Sequence, residues 1–270
     1  MKNPKISLIT VCYNAETLLY NTLNSAIQQT YKNIELVIID GGSKDKTVEI
    51  AKQFQPYIGT LISEKDNGIY DAMNKGIKAA QGDWIYFLNA GDAFYNTTIL
   101  EEIFKNTEIT DIDFIYGKMQ TVNEPTGINY IAGKPVTFKD FYFSYPICHQ
   151  TTFTRKQVFD YMPMLDTKLK IMADNKWQMH FFKHHENKAL FIDKIIAFYD
   201  IQGASYHKRM LGYREFLSYT NKLLPLPVYL VNVLLYPIIW SKVKFIRTFQ
   251  QTSWFKAYRA LKFKGKTANV

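Results

Sequence analysis

The sequence predicts an α/β fold, with a mostly parallel central sheet flanked by helices and a separate C-terminal segment. Two observations point to it. Short β-branched and apolar runs alternate with stretches of helical period through the first hundred residues. Each run ends in a turn rich in Asp, Asn, Glu and Gly, as strands covered on both faces must where they leave the sheet. With 270 residues, 47% of them apolar, the chain can form one large α/β domain or a domain of roughly 200 residues plus an appendage.

The elements follow in order. ISLITVCY (6–13) is a continuous apolar run fit for a buried strand, and AETLLYNTLNSAIQQT places apolar residues near helical period. IELVIID (34–40) is a second buried strand and DKTVEIAKQF a second helix. GTLIS (59–63) leads to a third strand, IYDAMNKGIKAA to a third helix and DWIYFL to a fourth strand. Right-handed crossovers would make these strands parallel and bring their carboxyl ends to one rim. After about residue 110 the alternation weakens. DFIYGKM reads as a strand, NEPTGINYIAGKP as a hairpin or mobile loop, and FYFSYPICHQTTFTRKQVF as one or two strands leading to a short helix. KIMADNKWQMHFFKHH reads as a helix that buries Ile171, Trp177, Phe181 and Phe182, with Asp174 near its start.

The formal charge of +9 is unevenly placed. Of 33 Lys and Arg, nine lie in residues 222–270, which hold no Asp or Glu, so residues 1–221 carry 24 basic and 24 acidic groups. Leu223 to Ser241 contains no charge for nineteen residues, but Pro225, Pro227, Pro237 and Asn232 interrupt it. A surface-lying or re-entrant membrane element is expected, its lysines against anionic lipid, with a helical pair packed on the domain as the alternative. No nucleic-acid module is discernible. The two cysteines, Cys12 and Cys148, fit a reducing compartment, and the N-terminus shows no secretory h-region. The expected domains are 1–221, with a nucleotide-binding half to about 110 and an acceptor half beyond it, then a basic, apolar extension over 222–270. The expected location is cytoplasmic, peripheral to the inner face of the cell membrane.

Four polar strand ends carry the chemistry: CYNAE (12–16), DGGSKD (40–45), SEKDNGIYDAMNKG (63–76) and NAGD (89–92). Neither a G-x-G-x-x-G turn nor a P-loop is present. A carboxylate rim without a Gly-Lys loop suits a nucleotide held by base and ribose, with a divalent metal neutralising its diphosphate. His180, His184 and His185 lack zinc partners and read as helix-surface residues.

ITVCYNAE, VIIDGGSKDKT, SEKDNGIYDAMNKG, FLNAGD and MADNKW, taken in order, resemble the motifs of family 2 glycosyltransferases, in particular the bacterial exopolysaccharide and colanic-acid-type branch. The resemblance spans roughly residues 4–205. It implies a GT-A-like fold and an inverting transfer from a nucleotide-diphosphate sugar, most commonly a UDP-sugar, to a lipid-linked or saccharide acceptor, with Mg²⁺ or Mn²⁺ as cofactor. It implies donor contacts at Tyr13, which would stack on the base, and at Glu16, Asp40, Asp66, Gly68 and Asn89. Asp92 would be the metal ligand, and Asp174 the catalytic base. His149 and Gln150 resemble an accessory pair of that branch. The chain departs from D-x-D-D, having Asn89 and Gly91 at the first and third positions, and has Gly41 at the second acid of D-D-G-S. Plainer readings exist: Asp40 or Asp174 as helix caps, His149 as a hydrogen-bonded core residue. The competing functions are a non-catalytic nucleotide-sugar-binding protein and a sugar nucleotidyltransferase, although the Gly-rich Arg-Lys loop of the latter is missing.

Overall fold

The structure is a computed structural model and describes residues 3–105, 107–123, 128–200, 208–249 and 252. Its first half follows the β-α alternation. Strands β1 (Ile6–Cys12), β2 (Ile34–Asp40), β3 (Ile58–Ser63) and β4 (Trp84–Phe87) are all parallel, in the order β3-β2-β1-β4. Helices α1 (Leu19–Ile27), α2 (Thr47–Lys52) and α3 (Ile69–Ala79) connect them. The registers align Cys12 with Asp40 and Asp40 with Ser63, which puts the polar strand ends on a single rim.

Side chains of a strand alternate between faces, and both faces here are apolar. Ile9, Val11, Val37, Ile39 and Ile85 pack one way, against α3; Leu8, Leu36, Ile38, Trp84 and Tyr86 pack the other way, against α1. That double cover explains why these strands read as unbroken apolar runs rather than alternating ones.

Beyond residue 90 the sheet becomes mixed. β5 (Ala93–Phe94) precedes α4 (Ile99–Phe104), then β6 (Phe114–Asn123) pairs antiparallel with β7 (Ile128–Ala132) as the expected hairpin, whose residues 124–127 lie outside the described ones. β8 (Thr152–Arg155) sits antiparallel between β4 and β6. β9 (Ala189–Asp200), a strand without a sequence expectation, runs parallel to β6 and antiparallel to β5. The stretch 141–159 therefore yields one strand, two 3-10 turns and the short helix α5 (Val158–Tyr161). Antiparallel neighbours need no crossover helix, so the β-α signal fades there.

Helix α6 (Ala173–His185) buries Trp177, Phe181 and Phe182 as expected, and α7 (Arg209–Leu223) packs beside it through Phe216 and Tyr219. Of the three helix histidines, His184 is exposed while His180 is half-buried, with Nδ1 3.3 Å from the Met162 sulfur. The prolines of the tail do not break it. α8 (Leu226–Phe249) is one continuous helix because Pro225 precedes it and Pro227 falls in its first turn, where no backbone N–H is needed; only Pro237 is internal.

Helix α3 presses on β1 through Gly76, where a Cβ would stand 2.4 Å from Ile9 Cγ2. Gly76→Ala gains about 1 kcal/mol of helix propensity but forces an overpacked contact that typically costs more. We expect a net loss of about 1–2 kcal/mol in urea unfolding, with the helix that carries Tyr70 displaced at the rim.

Candidate functional site

The rim loops hold one another in place. The Asn14 amide donates to Ser43 Oγ at 2.7 Å, and the Ala15 amide to Thr47 Oγ1 at 2.7 Å. Asp40 is 1% exposed and turns into this loop: Oδ2 accepts from the Gly42 and Ser43 amides and from the Ser63 hydroxyl, and Oδ1 from the Ser43 hydroxyl. It does not meet helix α2; Asp45 does, with Oδ1 accepting from the Thr47 amide at 3.0 Å. Glu16 is exposed and accepts from the Lys46 amide at 3.0 Å.

Next to Asp40, Tyr13 and Asp66 frame a slot at Gly41. Tyr13 is 63% exposed, and a Cβ on Gly41 would stand 3.5 Å from its ring and 2.5 Å from Asp66 Oδ2. Tyr13, Gly41 and Asp66 therefore meet at one place, where the Asp66 carboxylate takes the space that the missing side chain of Gly41 leaves. The other oxygen of Asp66 accepts from the Gly68 amide at 2.8 Å. Gly68 sits at φ +117, where a side chain would be strained, just before α3.

Two residues further on, the Tyr70 hydroxyl donates to Asp174 Oδ1 at 3.0 Å, which ties this slot to the second half of the rim. Asp174 Oδ2 lies 3.3 Å from His149 Nδ1, and His149 Nε2 lies 3.1 Å from Asn89 Nδ2. Gln150 Nε2 reaches Asp92 Oδ1 at 3.5 Å, the long limit of a hydrogen bond. Gly91 takes φ +101 and donates its amide to Thr22 Oγ1, so a glycine suits the third position of NAGD on backbone grounds. Tyr70 belongs to a motif block but carried no expectation; its place in the apolar period of α3 marks it as buried, and only the fold shows its hydroxyl aimed at Asp174.

The two carboxylates are treated oppositely. Burial pushes Asp174 up, but the His149 hydrogen bond and charge, the Asn175 amide and the Tyr70 hydroxyl outweigh it and hold the carboxyl below its ordinary range. Burial lowers His149, yet Asp174 and then Asp92 raise it further than burial lowers it. Asp92 is raised to about 6, because burial exceeds what His149, Gln150 and the Asn89 amide return.

Asp92 Oδ2 and Asn89 Oδ1 are buried with no hydrogen-bond partner. Two orphaned oxygens at one strand end fit a hard cation. Among the described residues no three His, Cys, Asp or Glu form a metal cage, so such a cation would complete its shell with phosphate oxygens and water.

Residues 7–162 match the model of "Glycosyl transferase family 2". Over 254 residues the chain is 29% identical to a PGL/p-HBAD biosynthesis glycosyltransferase of Mycobacterium bovis, covering 92% of this chain and 97% of that protein. The crystal structure of S. aureus TarS 1–349 in complex with UDP aligns with TM-score 0.61 and 22% identity over 79% of this chain and 65% of that one. The mannosyltransferase PcManGT from Pyrobaculum calidifontis, in complex with GDP-Man and Mn²⁺, aligns with TM-score 0.60 and 13% identity over 99% and 76%. The fold is thus GT-A-like.

Because folding raises the Asp92 carboxyl from 3.8 to about 6, folding is favoured below the unfolded value and that advantage is lost as pH rises through about 6. Asp92→Asn should therefore be more stable than the parent at neutral pH, by up to about 3 kcal/mol, with the gap closing toward about pH 4. Urea unfolding of both proteins across that range, without divalent metal, checks it.

Proposed function

The chain belongs to glycosyl transferase family 2, and from that premise we propose that it moves a sugar, with inversion, from a nucleotide-diphosphate donor, a UDP-sugar first, to a lipid-linked or saccharide acceptor of cell-surface glycolipid or polysaccharide. The hydrogen-bonded run from Tyr70 through Asp174 and His149 to Asn89 supports this reading most: it links an ionised carboxylate through one imidazole to the strand end that carries Asp92, one of whose oxygens has no hydrogen-bond partner. The name of the mycobacterial relative supports a glycolipid acceptor. The C-terminal helix, free of charge from Leu226 to Ser241 and basic after it, supports a peripheral place at the inner face of the membrane.

In this reading residues 1–221 are catalytic and 222–270 an extension. Tyr13 offers its ring to the base, with Asp66 beside it and Asp40 fixing the loop from below. Gly68 lets the donor approach the backbone closely, and Glu16 shapes the same rim. Asp92 Oδ2 and Asn89 Oδ1 would hold Mg²⁺ or Mn²⁺, which supplies positive charge beside the diphosphate. Asp174 takes the proton of the acceptor hydroxyl as that oxygen bonds to the anomeric carbon, and the broken bond's electron pair leaves with the diphosphate. Tyr70 and His149 keep Asp174 ionised and oriented. Gln150 steadies Asp92.

A second reading follows from His149 Nε2 facing Asn89: the imidazole takes the proton and Asp174 orients it. Asp174→Asn should lower kcat by about 10²–10⁴ while the donor Kd stays within about twofold. His149→Gln should cost well under that if Asp174 is the base, and as much if His149 is. Asp92→Ala should weaken Mn²⁺-dependent donor binding in titration calorimetry by about tenfold or more. Normal transfer by Asp174→Asn and Asp92→Ala would sink the assignment, and metal-dependent donor binding without turnover by the wild type would favour a non-catalytic binding protein.

A further inference from the structure

Helix α8 shows two unlike faces. Val228, Asn232, Tyr236 and Val243, spaced at helical period, turn toward the domain. The Asn232 side chain, 1% exposed, donates to the Tyr142 carbonyl at 2.8 Å, and Tyr236 stacks on Tyr213 with ring centroids 5.8 Å apart. The opposite face carries Leu226, Leu230, Leu234, Ile238 and Phe245, between 49% and 72% exposed. From Leu226 to Ser241 no charge interrupts it. Water is a poor solvent for such a stripe.

Its flanks point to what covers it. Lys242 and Lys244 follow the apolar run on either side of the stripe, and the Lys244 ammonium lies 5.0 Å over the Trp240 ring. Beside them Met210, Trp240, Val243, Lys244 and Thr248 line a cavity of about 300 Å³, largely apolar with a lysine among its walls. A second copy of the chain is a poor partner, since residues 222–270 hold nine Lys or Arg and no acid with which another copy's lysines could pair. Anionic lipid satisfies the aliphatic stripe and the lysines together.

We propose that the outward face of α8 lies in the plane of an anionic bilayer, with Leu230, Leu234 and Ile238 among the acyl chains and Lys242 and Lys244 at the headgroups. This rests on the reading of the chain as an enzyme of a membrane-borne acceptor. The helix is long and apolar enough to cross a bilayer, but crossing would require it to release Asn232 and Tyr236 from the domain. The in-plane arrangement keeps both bonds. On its inner side the helix is tied through Asn232 to Tyr142, whose segment continues through the exposed Phe143 and Tyr145 to His149, so a bilayer-bound α8 would be joined to the side of the rim that carries Asp174.

Flotation of the full chain with vesicles tests this. Wild type should float with phosphatidylcholine–phosphatidylglycerol vesicles, far less with phosphatidylcholine alone, and be released by alkaline carbonate. Leu234→Glu with Ile238→Glu should cut the partition coefficient by about tenfold or more at unchanged melting temperature and unchanged donor binding, and Lys242→Gln or Lys244→Gln by about fivefold each. No flotation, unchanged flotation of the double variant, resistance to carbonate, or a wild-type dimer that the double variant dissociates would each overturn the proposal. Vesicle binding needs neither donor nor turnover, so flotation without sugar transfer would fail the enzymatic reading and leave the lipid surface standing.

Discussion

The contact between His149 Nδ1 and Asp174 Oδ2 is the one on which the site depends. A carboxylate withdrawn from water is costly unless opposite charge and hydrogen bonds replace its hydration. Asp174 receives both, from an imidazole and from the Tyr70 hydroxyl, and stays ionised. Without the imidazole, only the Asn175 amide and the Tyr70 hydroxyl would oppose the effect of burial. The pair also crosses the molecule: His149 comes from the 3-10 turn before β8, Asp174 from the first turn of α6 and Tyr70 from α3. One short chain of bonds thus fixes three elements against the end of β4.

Asp92 shows the opposite outcome of the same physics. Its neighbour Gln150 offers one long hydrogen bond, and the second oxygen has none. Burial therefore dominates and the carboxyl rises. In the proposed function, that bare oxygen is where a cation arriving with the donor would bind.

The parallel half was legible because its strands are covered on both faces, which leaves apolar runs, and because parallel pairing demands a helix between each pair. β9 escaped notice because ALFIDKIIAFYD mixes Asp193 and Lys194 into an apolar run, and its partner β6 lies far off in sequence. Asp92, Asn89, His149 and Asp174 were legible as chemical types at strand ends and a helix start, and they do converge. Asp40 was visible as an acid, but its inward turn is a matter of which amides the 41–43 loop presents, and that is set by φ +82 at Gly42. Tyr70 was hidden because a buried tyrosine and a hydrogen-bonding one look alike in a helical period.

The thin acid count of the motifs also has a spatial explanation. Gly41 stands where a second acid would follow Asp40, yet a side chain there would stand 2.5 Å from Asp66 Oδ2. The carboxylate of Asp66, from the loop after β3, reaches the space that an acid at 41 would claim, so the rim keeps negative charge beside Tyr13 although the local motif lacks it. Two carboxylates in that slot would crowd and repel each other. Glycine at 41 and aspartate at 66 are therefore one arrangement, and neither can be judged from its own block of sequence. Gly91 differs: its φ of +101 answers to the backbone, and the side chain nearest the place of its missing Cβ is the apolar Leu18, not another acid.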